Sequence, residues 1–327
     1  MTYPFLPVPS VASSLSMGFK SQLKSAYGDL LEQLSAHAPA LFPDSVHAYF
    51  AALQPAGFNG FHSFTYHYVI RLAEQNRLPD ASRLLMVMAR DRYETLPRFA
   101  PASRIDRELL REVLDEISGG TSYTEIVLRP LPRDKEQRAE RAMTRGVRVL
   151  EAVYPELAAE IEILVGSVVF FESAGATDER ALSLTGDKLQ SMILVNGEID
   201  VNWIFLLDKL IHEAAHTYLY GINLREELVH NSPETKYASP LRRDERDMLA
   251  IYHATFVIQR LLVAFARIFE RAALLDADRV AIEEMLALYR ARLDAGFSTI
   301  ERHGDLSDVA RELIHEGQDY AKSLAPC

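Results

Sequence analysis

Cysteine is almost absent from this chain: among 327 residues the only one is Cys327. A single thiol cannot build an intrachain disulfide framework, so packing must hold the fold, and a reducing compartment is the default expectation. An excess of positive charge is missing too. Lys and Arg number 35 against 46 Asp and Glu, a formal net charge of −11. That balance argues against sequence-independent nucleic-acid binding, which needs a positive surface, and is compatible with a basic or neutral peptide partner. No run reaches the roughly 18 uncharged apolar residues of a membrane-spanning helix. Residues Met1–Phe19 lack a basic leading segment, and Pro4, Pro7 and Pro9 interrupt any signal-peptide core. These absences predict a soluble, cytoplasmic protein with neither nucleic acid nor membrane as partner.

Helical periodicity fills most of the chain. Leu15, Phe19, Leu23, Tyr27, Leu30, Leu31 and Leu34 mark a first helix, and further helices are predicted over 44–53, 61–75, 80–91 and 105–117. The middle changes character. Residues 123–128, 163–171, 183–185 and 191–195 are β-branched or apolar and bounded by Gly, Pro or Asn-Gly, which predicts a small sheet. The fold class expected is mainly α with a small β-sheet (α+β). Its division is a helical N-terminal region, 1–120, and a catalytic region, 121–327, with the sheet, a metal-binding helix and C-terminal helices.

Within the second region, His212-Glu213-Ala214-Ala215-His216 interrupts an otherwise apolar helical stretch. Residues four apart on a helix stand one turn above each other, so the two imidazoles can aim at one point. Neutral imidazole is a common ligand for zinc and iron, and Glu213 lies beside the pair as a base or a support for a ligand. Asp200 or Asn202 can cap the start of this helix, and Gly221 stands where a C-terminal glycine is expected.

A third ligand is needed. Ser239-Pro240 has the form of a helix start, with Ser as cap and Pro at the first position. On a helix beginning there, Arg242 and Arg246 each fall within about 20° of His253 around the axis. This stripe makes His253 the third ligand, with Glu245 as the carboxylate alternative. Two arginines beside a buried histidine point to an anion held between them. The remaining histidines carry less. His62 and His67 are five apart and are expected to be structural, His230 is expected at the mouth of the site, and His37, His47, His303 and His315 show no partner pattern.

The stretches His212–His216, Tyr237-Ala-Ser-Pro-Leu-Arg242-Arg-Asp-Glu-Arg246 and Tyr252-His253-Ala254 resemble a family of HEXXH-motif putative peptide-modification proteins. Those typically carry Ser-Pro-Trp-Arg-x-Asp-Pro-Arg-Pro and then Leu-His-Gly; here Leu241, Glu245, Asp247 and Ala254 depart from the pattern. The resemblance covers roughly residues 160–270. It implies a hydroxylase dependent on Fe(II), 2-oxoglutarate and O₂, acting at a side-chain β-carbon of a ribosomally synthesised precursor peptide. Arg242 or Arg246 would then bind the distal carboxylate of 2-oxoglutarate. The rival expectation is a zinc metallopeptidase, with Glu213 as base and a carboxylate such as Glu245 as third ligand. A structural metal in a helical scaffold would instead want a closed four-ligand site.

Overall fold

The computed structural model describes residues 3–120, 127–174, 181–199, 201–239 and 244–324. It is mainly helical with one small mixed sheet. The contacts divide the chain into two compact units, and the division does not follow the expected boundary at 120/121.

One unit comprises Ser14–Arg141 and Val165–Val201. It contains most of α1 (Pro9–His37), then α2 (Asp44–Ala52), α3 (Gly60–Glu74), α4 (Leu78–Asp91), α5 (Arg107–Gly120) and the sheet. The strands β1 (Val127–Pro130), β2 (Ser167–Ala174), β3 (Ser183–Leu184) and β4 (Met192–Asn196) lie in the order β1-β2-β4-β3. The central pair β2–β4 is parallel, from Ser167 opposite Met192 to Phe171 opposite Asn196, and the outer pairs are antiparallel. All five residues of β4 are buried, as expected of a strand covered on both faces. The sheet groups with the N-terminal helices because α3 starts directly against β4. A side chain at Gly60 would place its Cβ 2.0 Å from the Met192 Cβ, so only glycine permits this approach.

Two strand expectations shift. Residues 121–126 lie outside the described residues, so β1 is seen only from Val127. The strand expected over 163–171 begins at Ser167. Leu157, Ile161 and Leu164 are all buried at helical spacing, which keeps the preceding residues helical through Leu164.

The other unit comprises Met1–Ser13, Ala142–Leu164 and Asn202–Cys327. After the end of α6 (Arg133–Val153) come α7 (Pro155–Leu164), α8 (Trp203–Asn223), α9 (Met248–Arg271), α10 (Asp276–His303) and α11 (Asp308–Ser323). Helix α9 packs against α8, α10 and α11. By length and composition it could cross a membrane, but most of it is buried inside the protein, as in a core helix apolar on every side. Helix α8, which carries the His-Glu-x-x-His sequence, is fixed at its start by α6 and α10. Trp203 Nε1 donates to Asp278 Oδ2 at 3.1 Å, and Gly146 lets α6 approach so closely that a Cβ there would meet Leu207 Cβ at 2.9 Å. In the second turn, buried Asp208 accepts from the Tyr289 hydroxyl and pairs with Lys209 at 2.6 Å. Asn202 is the cap, accepting from the Ile204 N–H at 3.0 Å. Gly221 does not end the helix; it is buried within it, and α8 runs on to Asn223.

His62 in α3 is a network residue. It completes a reciprocal cap with Asn59, its Nε2 lies 3.1 Å from the Tyr49 hydroxyl, and that hydroxyl donates to Glu94 Oε2 at 2.7 Å. Burial drives the pKa of His62 from 6.5 down to about 3. The folded state therefore binds this proton less readily than the unfolded state. Stability from His62 is complete above pH 6.5 and drains away as pH falls toward the folded value, at up to about 1.4 kcal/mol per pH unit. Urea unfolding midpoints between pH 7 and 4 should fall steeply for the native chain and less steeply for His62→Gln. Parallel curves for the two proteins would show that His62 does not govern the dependence.

Candidate functional site

Helices α8 and α9 face each other across a seam lined by three histidines. His212 and His216 project from successive turns of α8, with ring centroids 5.0 Å apart. His253, in the second turn of α9, brings its Nδ1 to 3.2 Å from Nδ1 of His216, with ring centroids 5.5 Å apart. Burial holds both rings neutral, lowering His216 to about 4 and His253 to about 3, the latter helped by the neighbouring imidazole. With neutral rings, one of the facing nitrogens donates and the other accepts.

These rings border a cavity of about 390 Å³, whose wall includes His212, His216, Tyr220, Ser239, Arg246, Asp247 and His253. Tyr220 follows His216 by one helical turn. Its ring centroid lies 6.2 Å from that of His216 and 5.2 Å from that of His253, so it forms an aromatic side of the cavity. Tyr220 was not expected from the motif, yet its spacing of four from His216 and eight from His212 carries the signal.

The route by which Arg246 reaches the cavity corrects the expectation for this region. No helix runs from Ser239 to His253, because the described residues 244–247 are not helical. Tyr237 and Arg246 instead exchange both backbone hydrogen bonds, each 2.8 Å, in an antiparallel bridge. Backbone groups engaged across such a bridge are unavailable to a helix. Helix α9 starts at Met248, capped by Asp247, whose Oδ1 accepts from the Ala250 N–H at 2.9 Å. The helical stripe of Arg242, Arg246 and His253 is therefore not formed, and Arg242 itself lies outside the described residues. Arg246 still borders the same cavity as His253, held at 2.7 Å by Asp244.

The other candidates fare differently. Glu213 is 3% exposed and its Oε1 lies 4.0 Å from Nε2 of His212, but it is not part of the described cavity wall. Glu245 is exposed and also outside that wall. His230 lies 3.6 Å from Glu227 and is not among the residues that border the cavity.

Among the described residues, no three His, Cys, Asp or Glu side chains are arranged as a ready metal cage. The donor chemistry nevertheless fits a metal in two of its three parts. Imidazole nitrogens bound at about 2.0–2.2 Å to one ion stand roughly 3 to 3.5 Å apart, and the His216–His253 pair stands at 3.2 Å. His212 borders the same cavity, with its Nε2 4.0 Å from Glu213 Oε1. No family model matches the chain, and no curated protein is similar to it.

The cap on α9 gives a direct check of this local structure. Replacing Asp247 with Ala should cost about 1 kcal/mol of stability, the usual worth of such a cap, and lower the urea midpoint accordingly. Ser239→Ala, at the start expected from sequence but not used by the helix, should change stability far less. A larger loss at Ser239 than at Asp247 would reverse the assignment.

Proposed function

We propose that this chain is an Fe(II)- and 2-oxoglutarate-dependent hydroxylase acting at a side-chain β-carbon of a ribosomally synthesised peptide, working in a reducing, cytoplasmic setting. The observation that carries the reading is the shared cavity: His212, His216 and His253 border it together with the guanidinium-bearing Arg246. His216 and His253 would hold the metal, with His212 as third donor, leaving positions open for cosubstrate and O₂. The chemistry supplied there is insertion of one oxygen atom of O₂ into a C–H bond, coupled to conversion of 2-oxoglutarate to succinate and CO₂. Arg246 would bind the distal carboxylate of 2-oxoglutarate, and Arg242 is the second candidate for that role. Tyr220 and the apolar edge of Leu249 and Ala250 would limit how the peptide side chain enters. The resemblance of residues 160–270 to HEXXH-motif peptide-modification proteins supports the same reading.

A zinc metallopeptidase remains the competing function. It needs a carboxylate that faces metal-bound water, and the positions of Glu213 and Glu245 outside the cavity wall weigh against it.

Anaerobic titration should show one equivalent of Fe(II), or of Co(II) as a coloured substitute, and His216→Ala or His253→Ala should abolish binding. Full binding by His253→Ala would remove His253 from the ligand set. Arg246→Ala should leave metal affinity nearly intact and raise the 2-oxoglutarate requirement roughly 30-fold or more, the equivalent of losing about 2 kcal/mol from a charge-assisted pair. Glu245→Ala should leave that requirement unchanged, and equal losses at the two positions would remove Arg246 from the cosubstrate site. Mass spectrometry separates the two chemistries, because hydroxylation adds one oxygen to the peptide and proteolysis yields fragments. Glu213→Gln should slow hydroxylation while keeping metal, whereas in a peptidase it would remove nearly all cleavage.

A further inference from the structure

The unit that carries the sheet holds a second concavity, away from any histidine cluster. Helices α1 and α3 are joined through Tyr27, whose ring centroid lies 5.5 Å from that of Tyr66 and whose hydroxyl donates to the His62 carbonyl at 2.7 Å. Outward of this junction the two helices enclose a trough of about 590 Å³. Leu30 and Leu34 from α1 and Tyr66 and Ile70 from α3 form its apolar floor. On each helix these positions are four apart, so each helix contributes one continuous apolar edge. Tyr66 and Ile70 are only half-buried although they pack against the core, which leaves apolar surface open to the trough.

The rim is acidic. Asp29 on α1 and Glu74 on α3 are exposed, and no Lys or Arg is among the described lining residues. Two arginines close in sequence to the α3 edge have partners of their own: Arg71 lies 4.7 Å over the Tyr68 ring and 3.9 Å from Glu112, and Arg77 pairs with Asp80 at 2.8 Å. Two apolar helix edges flanked by carboxylates match an amphipathic helix that has apolar anchors at positions i, i+3 or i+4, and i+7, with Lys or Arg beside them.

We propose that the α1–α3 trough is a docking groove for a lysine- or arginine-bearing amphipathic helical segment of the peptide substrate, outside the residue that is modified. Assigning the occupant to the substrate rests on the peptide-modification reading; the groove itself does not involve the histidine cavity.

The test is fluorescence anisotropy on the full chain with three labelled synthetic peptides. One is a helix with four Leu in a stripe flanked by Lys, the second has Glu in place of Lys, and the third is the Lys peptide scrambled. The Lys helix should bind at least tenfold tighter than the other two, and more weakly as salt rises. Ile70→Glu should lower its affinity at least tenfold. The double substitution Asp29→Lys/Glu74→Lys, at exposed positions where folding is not at stake, should invert the preference toward the Glu helix. His216→Ala should bind the Lys helix as the native chain does, so a failed reaction and a failed groove give different results. Equal binding of the Lys and Glu helices, or an unchanged preference in the double variant, overturns the proposal. So does a native dimer, seen by light scattering, that Ile70→Glu converts to monomer, because a second copy would then be the occupant.

Discussion

The unit that carries the histidines depends on one buried cation. Arg260, in the middle of α9, is 3% exposed, and its Nη1 meets Glu160 Oε1 of α7 at 2.9 Å. Its guanidinium also lies over three aromatic rings, 5.0 Å from Tyr218, 5.3 Å from Phe256 and 5.4 Å from Phe5. Nε and Nη2 have no hydrogen-bond partner, so the ring faces take the place of acceptors. Removing one member of such a buried pair typically costs about 3–5 kcal/mol, because the other is left charged in an apolar surrounding. The cation thereby ties α7, α8, α9 and the N-terminal residues together at one point. That point bears on the candidate site. Tyr218 is two residues beyond His216, and Phe256 is three beyond His253; their rings stack 6.1 Å apart at 2°. The separation of α8 and α9 at the imidazoles is thus set from below by Arg260 and its aromatic neighbours.

The N-terminal residues complete this arrangement. The Tyr218 hydroxyl donates to the Pro4 carbonyl at 3.0 Å, the Phe5 N–H donates to Glu316 at 2.9 Å, and the Phe5 ring meets Phe256 edge-on at 5.8 Å. From the other side, α11 accepts two buried bonds from α9, Tyr252 to the Ala310 carbonyl and Gln259 to the Ile314 carbonyl. A helix buried on every side has no solvent to satisfy its polar side chains, so each must find a partner in the protein. In α9, His253 is the buried polar residue whose ring nitrogens meet another titratable ring beside a cavity. Its burial therefore serves the seam between α8 and α9 more than the packing of α9.

What the sequence made legible follows from how local each signal was. The start of helix α8 could be narrowed to a cap at Asp200 or Asn202, because an apolar stripe and a short polar residue before it are both local. The fold class followed from periods of 3.6 and 2 in the same way. The start of α9 was misread because Ser239-Pro240 is a good local helix start and Asp247 is a good cap too. The choice between them is made by a pairing between Tyr237 and Arg246 that no local pattern encodes. The grouping of sheet and helices was equally hidden. It depends on Gly60 meeting Met192, a contact between residues far apart in the chain. Tyr220 was legible in principle, one turn beyond His216, but an aromatic residue on a largely apolar helix is ordinarily core, and only the cavity distinguishes it.

The misread helix start changes what Arg246 can do. On a helix, its reach toward His253 would be fixed by rise and twist, and it would move only with α9. In the bridge it is anchored by its backbone to Tyr237, whose ring stacks on His303 at 5.2 Å, and its side chain is braced by Asp244. Arg246 is therefore positioned by the end of α10 and by the loop, while the imidazoles are positioned by α8 and α9. The cation and the histidines share a cavity but not a scaffold. In the proposed hydroxylase, this separation would let an anionic cosubstrate enter and leave while the imidazoles stay in place.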